Sequence, residues 1–192
     1  MKVVVTVIGT LVVLAVLGLL VMFSGIYDIS AVSKHNALTL WVLDEGLENS
    51  VEHHAKGITP PASLTDSAVV AGGFRRFDRM CAGCHGAPGA QRRSSRITYP
   101  AAPPLAAVVD EWKPAELFWI TKNGIKMTGM PAFAGETDED LWSIVAFMQK
   151  LPDIQPEQYQ AMHQAAMAAD SASAQRFVGR ELQRPPTLNS PH

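Results

Sequence analysis

Both cysteines of this 192-residue chain lie in one pentapeptide, Cys81-Ala82-Gly83-Cys84-His85. Two thiols separated by three positions on one helical turn can each form a thioether with a haem vinyl group, and the next residue can then bind the iron as its proximal ligand. The pattern Cys-x-x-Cys-His is typical of the attachment of a c-type haem. The sequence therefore predicts one covalently bound haem c, held by Cys81, Cys84 and His85.

Three other interpretations of these cysteines fit less well. A thioredoxin-type redox pair belongs at a strand-to-helix junction in a βαβ unit, and the chain shows no parallel-strand pattern. A zinc site needs further ligands at matching spacing, and the chain contains no other cysteine. A structural disulfide between Cys81 and Cys84 would leave the adjacent His85 unexplained.

Length and charge limit the remaining classes of protein. The chain has room for one domain of about 80 to 100 residues and additional segments. A net charge of −2 and a pI near 6.3 argue against a nucleic-acid-binding protein, which would normally be basic. Because haem attachment of this kind takes place outside the cytoplasm, we expect the N-terminus to carry a membrane-targeting segment.

Residues 3–23 form a run of 21 uncharged residues rich in valine and leucine. As a helix this run would be about 31 Å long, which matches the hydrocarbon thickness of a bilayer. A cleaved signal peptide has an apolar region of about 7 to 15 residues followed by a small-residue cleavage site, and no such site follows closely here. We expect a single-pass, uncleaved anchor in a bacterial inner membrane, with the haem domain on the periplasmic side.

Four zones follow from the patterns along the chain. Residues 1–26 are the anchor, and 27–62 are an amphipathic helical segment, helical from 27 to 56, that ends in a Pro60-Pro61 linker. Residues 63–152 are the haem domain. Residues 153–192 are a tail that is partly helical, over 156–178, and then disordered from Pro185 onward.

The haem domain is predicted to be all-α. Periodicity and end signals favour helices over 68–81, 114–123 and 137–152. The end signals are Asp66 or Ser67 as the first cap, Pro114 and Gly124 at the two ends of the second helix, and Thr137 with Asp140 for the third.

A second axial ligand is the next requirement of a six-coordinate haem iron, and methionine is one common choice. The chain has eight methionines. Six of them lie in the apolar run or in helical patterns that explain them as packing or surface residues: Met1, Met22, Met80, Met148, Met162 and Met167. Met127 and Met130 remain, both in the segment 123–133, and the residue types alone leave both open.

From about residue 68 to 151 the chain resembles the class I cytochrome c family. Four pieces carry the resemblance: Gly73 and Phe77 leading into Cys-x-x-Cys-His, the segment Pro103-Pro104-Leu105, the loop Gly129-Met130-Pro131-Ala132-Phe133, and a final helix with Ile144 and Phe147. The resemblance implies a cytochrome c fold, which the anchor and the juxtamembrane helical segment would precede.

The resemblance also implies roles for individual residues. In the family the methionine directly before Pro-Ala-aromatic is the distal ligand, which corresponds to Met130, with Met127 as the alternative. The backbone carbonyl of Pro103 would accept a hydrogen bond from Nδ1–H of His85 and so orient the ring. Gly73 would permit a close crossing of the first and last helices.

Two further groups have open roles. The basic run Arg92, Arg93 and Arg96 could pair with a haem propionate, although a solvated loop is favoured. Trp112 and Trp119 could shield the haem edge, donate a hydrogen bond to a propionate, or pack in the core.

His35, His53 and His54 raise the question of a metal site in the juxtamembrane segment. Adjacent histidines point to different sides of a helix, so a surface or partner-contact role is favoured over a metal site.

The function that the resemblance implies is one-electron transfer by a membrane-anchored monohaem cytochrome with His/Met ligation, acting in a respiratory chain. Its partners would be redox proteins or a membrane respiratory complex, with neither nucleic acid nor a small-molecule substrate. No nucleophile–base pair argues for catalysis. The alternatives are a haem subunit wired into a larger membrane dehydrogenase or oxidase complex and, less favoured, a gas-binding haem protein.

Overall fold

The computed structural model describes residues 1–30, 32–90 and 99–182, and these residues are helical apart from loops and one isolated bridge between Ala87 and Ala90. This confirms the all-α prediction. Three short 3-10 turns lie at Ala62–Thr65, Val109–Glu111 and Leu151–Asp153. The helices are α1 (Lys2–Ser24), α2 (Ala37–Ala55), α3 (Ser67–Met80), α4 (Ala82–His85), α5 (Leu105–Val108), α6 (Pro114–Asn123), α7 (Asp138–Met148) and α8 (Pro156–Leu182).

The chain divides into two units, residues 1–43 and residues 44–192. Most of the first unit is α1, whose 23 residues are uncharged after Lys2 and include no buried side chain. Among the described residues, this helix alone is long and apolar enough to cross a membrane, as judged by length and composition.

The segment between α1 and α2 differs from the sequence prediction, which made residues 27–56 helical. α1 ends at Ser24 and is followed by Gly25, which has a left-handed backbone with φ 70°. The Asp28 carboxylate then accepts a hydrogen bond from Ser30 N–H at 2.8 Å, and the Asn36 side chain accepts one from Thr39 N–H at 2.9 Å. Such local side-chain bonds compete with helix formation, so α2 begins only after Asn36.

In the second unit, α3 and α7 cross at close range, as predicted. A Cβ atom at Gly73 would collide with the Ser143 carbonyl oxygen and lie 3.0 Å from Cβ of Phe147. The Phe77 and Phe147 ring centroids are 5.2 Å apart, and Phe74 meets Phe147 edge-on at 5.4 Å. The absence of a side chain at position 73 therefore lets the aromatic rings of the two helices interlock in the core.

The predicted helix ends at the site-bearing helices are mostly confirmed. The Thr137 hydroxyl accepts a hydrogen bond from Asp140 N–H at 3.2 Å at the start of α7. α6 begins with Pro114 and is capped at its end by Gly124. α7 ends at Met148, four residues earlier than predicted, and a 3-10 turn containing Pro152 follows, because proline cannot continue the hydrogen-bonding pattern of a helix.

α8 packs its first turns against the same core. Tyr159 is 5% exposed and lies edge-on to Phe74, with ring centroids 5.4 Å apart. Its hydroxyl donates to one carboxylate oxygen of Asp78 at 2.8 Å, and Nδ1 of His163 lies 2.8 Å from the other. The core therefore draws on residues beyond 152, and α8 extends past the predicted end at 178.

Candidate haem-attachment site

The Cys-x-x-Cys-His pentapeptide lies where α3 passes into α4. Cys81 is the C-cap of α3, and its N–H donates to the Phe77 carbonyl at 2.8 Å. Its own carbonyl accepts from N–H of Cys84 at 3.1 Å and of His85 at 2.9 Å. The two thiols and the imidazole are therefore carried on one tight turn, which is the arrangement that attachment to a single haem requires.

The two cysteines differ in their surroundings. Cys81 is 8% exposed and belongs to the hydrophobic core, whereas Cys84 is half-buried. Burial, with a smaller contribution from the charge of Cys84, raises the pKa of the Cys81 thiol to about 12. This thiol is consequently neutral at physiological pH, the state that a buried group in an apolar core favours.

His85 is oriented by a contact with a distant part of the chain. Its Nδ1 lies 2.8 Å from the carbonyl oxygen of Pro103, eighteen positions along the sequence. A carbonyl oxygen can only accept, so Nδ1 carries the proton and Nε2 is the nitrogen with the lone pair that a metal ion needs. The next residue, Pro104, disfavours a helical backbone at Pro103 and is the N-cap residue of α5.

The loop after α6 is held in place at Gly124. This residue has φ 66°, and a Cβ atom there would lie 2.7 Å from Ala132 N and 2.8 Å from Met130 O. Ile125 N–H donates to the Met130 carbonyl at 3.3 Å, and Phe133 N–H donates to the Thr121 carbonyl at 3.3 Å. The segment that carries Met130 is thus packed against the end of α6.

The two candidate methionines have different environments within this loop. Met130 is half-buried, and its N–H donates to the Thr128 hydroxyl at 3.1 Å. Met127 has a left-handed backbone, with φ 60°, and its side chain is 91% exposed. The backbone contacts of the loop therefore hold Met130 in place, whereas Met127 extends into the surroundings.

A comparison with protein families identifies the kind of domain that contains the turn 81–85. A family model described as cytochrome c oxidase, cbb3-type, subunit III, matches residues 68–148, somewhat less than half of the chain. Residues 68–148 are a c-type cytochrome domain of the class I kind. Searches among curated proteins and among solved structures give no match.

A cytochrome domain implies haem c as its prosthetic group and electron transfer, rather than catalysis, as its role. The donor atoms of this chain fit that group. Two thiols and an imidazole share one turn, and Nδ1 of His85 is already paired with Pro103. The half-buried Met130 contains a thioether sulfur, which is a soft donor of the kind that iron(II) haem accepts.

The remaining residues that the sequence analysis named either lie near the cytochrome domain or fall outside the described residues. Trp112 is half-buried and packs against the core. Trp119 meets the ring of His54 at a centroid distance of 5.2 Å. Nδ1 of His54 lies 3.1 Å from the Ser50 carbonyl oxygen. The basic run, Arg92, Arg93 and Arg96, and the tail from Pro185 lie outside the described residues.

The histidines of α2 do not form part of a metal cluster in the described residues. Nowhere in the ranges 1–30, 32–90 and 99–182 do three or more His, Cys, Asp or Glu side chains come together in a group that could hold a metal ion.

Asp78 and Tyr159 were missed by sequence reasoning, although they support the cytochrome site. Asp78 precedes Cys81 by three residues, about one turn, and it joins α3 to α8. The sequence offered only a weak indication of this contact, because an acidic residue on the core-facing side of α3 needs a buried hydrogen-bond partner. Nothing in the sequence shows that this partner is Tyr159, 81 positions later.

Proposed function

We propose that this protein is a membrane-anchored one-electron carrier with one haem c, attached by thioethers from Cys81 and Cys84 and ligated by His85 and Met130. The observation that carries the proposal is the turn 81–85, with its imidazole bonded to Pro103, inside a segment that matches a c-type cytochrome family. When bound, haem c supplies an Fe(III)/Fe(II) couple that accepts and releases one electron.

The residues around the iron would set how that couple behaves. The bond from Nδ1–H of His85 to the Pro103 carbonyl fixes the ring and increases the basicity of Nε2. The thioether of Met130 favours the ferrous state and raises the reduction potential. Because both axial positions are then occupied, no open coordination site remains at the iron for a substrate.

The proposed location rests on α1. We propose that this helix spans the inner membrane of a bacterium, with the haem domain in the periplasm, where c-type haem is attached. Support comes from its 23-residue length and its lack of charge after Lys2. The donor and the acceptor would then be redox proteins of a respiratory chain on that side of the membrane.

Carbon monoxide binding to the ferrous protein tests the ligation. The wild-type protein should show no change in its absorption spectrum, whereas Met130→Ala should form a CO adduct because the sixth position is open. Met127→Ala is the matched control, three residues earlier in the same loop, and should behave like wild type. An adduct in the wild-type protein would favour a gas-binding haem protein, and one in Met127→Ala alone would make Met127 the ligand.

Covalent attachment needs a separate measurement. After denaturation in acidified organic solvent, haem should stay with the polypeptide in the wild-type protein. It should be extracted from a double Cys81→Ala, Cys84→Ala variant. Complete extraction from the wild-type protein would contradict the thioether bonds while leaving axial ligation possible.

A second candidate is a fixed haem subunit of a larger membrane oxidoreductase. The description of the matching family, a subunit of a cytochrome c oxidase, favours it. Mild detergent extraction from the native membrane followed by sizing separates the two. A mass far above one chain of 20.8 kDa plus its detergent micelle would support the subunit, and a mass equal to that sum would support the independent carrier.

A further inference from the structure

A second apolar stretch follows the membrane-spanning helix within the unit formed by residues 1–43. None of the residues described between 25 and 43 is buried. The large apolar side chains exposed there are Ile26, Tyr27, Ile29, Val32, Leu38, Leu40, Trp41, Val42 and Leu43. Exposure of this many large apolar residues within one short stretch indicates a surface that meets something other than water.

The first two turns of α2 are apolar on every side. Successive helical residues are about 100° apart, so Leu38, Leu40, Trp41, Val42 and Leu43 surround the helix axis. A helix that docks on one protein partner needs only a stripe of apolar residues, whereas one that is apolar all round belongs in a protein interior or a membrane. These turns are in no protein interior, because their side chains are exposed.

The neighbouring residues fit a position at the surface of a bilayer. As a helix of 23 residues, α1 is about 34 Å long and fills the hydrocarbon layer, so the residues after it emerge among the headgroups. Tyr27 and Trp41 are of the two types enriched at that interface. The Asp28 carboxylate accepts bonds from Ser30 N–H and from the Ser33 hydroxyl, which offsets the loss of water there.

We propose that residues 37–43 form a second membrane contact, submerged at the boundary between headgroups and acyl chains on the side where α1 ends. The partner is the phospholipid bilayer itself. The stretch ends at Asp44, after which Glu45, Glu48 and Glu52 return the helix to water. This inference rests on the proposed membrane anchoring by α1.

Single-cysteine labelling in the full-length, haem-loaded protein tests the contact. Cys81 and Cys84 are consumed by the haem, so an introduced cysteine can carry an environment-sensitive fluorophore. Leu38→Cys and Leu40→Cys place the label on two sides of the helix that differ by about 200°. Ser50→Cys is the matched control, exposed on the same helix about 15 Å further along.

The labelled proteins are reconstituted at low density in phosphatidylcholine vesicles, and quenching by aqueous iodide is compared with quenching by brominated lipid. We expect iodide quenching at positions 38 and 40 to be several-fold weaker than at Ser50, and brominated-lipid quenching to be stronger. Equal iodide quenching at all three positions would overturn the inference. Shielding from both quenchers would also overturn it, because that result would indicate a protein partner or a second copy of the chain.

Flotation of the vesicles separates this inference from the proposed function. Protein that fails to float with the lipid would refute both the anchor and the second contact. Protein that floats while its labels at positions 38 and 40 stay fully accessible to iodide would refute the second contact alone.

Discussion

Gly73 and its neighbour Gly72 offer a matched test of the helix crossing that forms the cytochrome core. Both lie in α3, but a Cβ atom at Gly73 would collide with the Ser143 carbonyl oxygen, whereas one at Gly72 would meet only the end of the Arg76 side chain, at 3.9 Å. The Ser143 oxygen belongs to the backbone of α7 and cannot rotate away. Gly73→Ala must therefore push the two helices apart, and Gly72→Ala need not.

The magnitudes follow from two opposing effects. In a helix interior, alanine stabilises the helix by about 1 kcal/mol relative to glycine, and this effect applies at both positions. Overpacking costs about 1–3 kcal/mol, and contact with backbone places Gly73 at the upper end of that range. We expect Gly73→Ala to lower the free energy of unfolding by about 2 kcal/mol and Gly72→Ala to raise it by up to about 1 kcal/mol.

Guanidinium unfolding of the detergent-solubilised holoprotein, followed by far-ultraviolet circular dichroism, measures both changes. A difference of about 3 kcal/mol between the variants corresponds to a shift of about 1 M in the denaturation midpoint for a domain of this size. The slope of the transition should stay unchanged. Equal shifts for the two variants, or stabilisation by Gly73→Ala, would refute the close crossing as a determinant of stability.

Two further predictions concern the loop and α8. Gly124→Ala should destabilise the domain by about 3 kcal/mol, because position 124 has a positive φ and an added Cβ atom would collide with the backbone of Met130 and Ala132. The same variant should increase CO binding by the ferrous protein. Gly135→Ala is the control and should change neither property, because a Cβ atom there meets nothing within 4 Å. Burial, and then the hydrogen bond to Asp78, raises the pKa of Tyr159. The unfolded chain therefore releases this proton above pH about 10 while the folded chain retains it. The contribution of Tyr159 to stability is fully present below that pH and is lost as the pH rises further. Between pH 8 and 11, the guanidinium midpoint should fall less steeply for Tyr159→Phe than for the wild-type protein. The variant should also lose about 1 kcal/mol of unfolding free energy at neutral pH, because the hydrogen bond to Asp78 is missing. A pH dependence identical to that of the wild-type protein would contradict this reasoning.

The parts of the fold that the sequence predicts are those determined by neighbouring residues. The start of α7 depends on Thr137 and Asp140, and the end of α6 on Gly124, all within one turn of the boundary they define. The turn 81–85 is equally local. The predicted helix over residues 27–36 was wrong because apolar spacing outweighed turn-forming side chains such as Asp28 and Asn36 in that prediction.

Contacts between distant segments were harder to predict. The bond between His85 and Pro103 could be expected only from the family resemblance, because the two residues are eighteen positions apart in the sequence. The approach of Gly124 to the Met130 backbone has no signal beyond a glycine at a helix end. These contacts depend on how a loop closes in space, which residue types alone leave undetermined.

α3 explains why residues outside the matched cytochrome segment matter to the site. Its last turn leads directly into Cys81, so the elements that fix α3 also fix the position of this proposed attachment point. α7 holds one side of it through the close contact at Gly73, and α8 holds another through Phe74 and the Tyr159–Asp78 bond. Because Tyr159 lies beyond residue 148, where the family match ends, the helix that leads into the turn 81–85 is positioned partly by a segment outside that match.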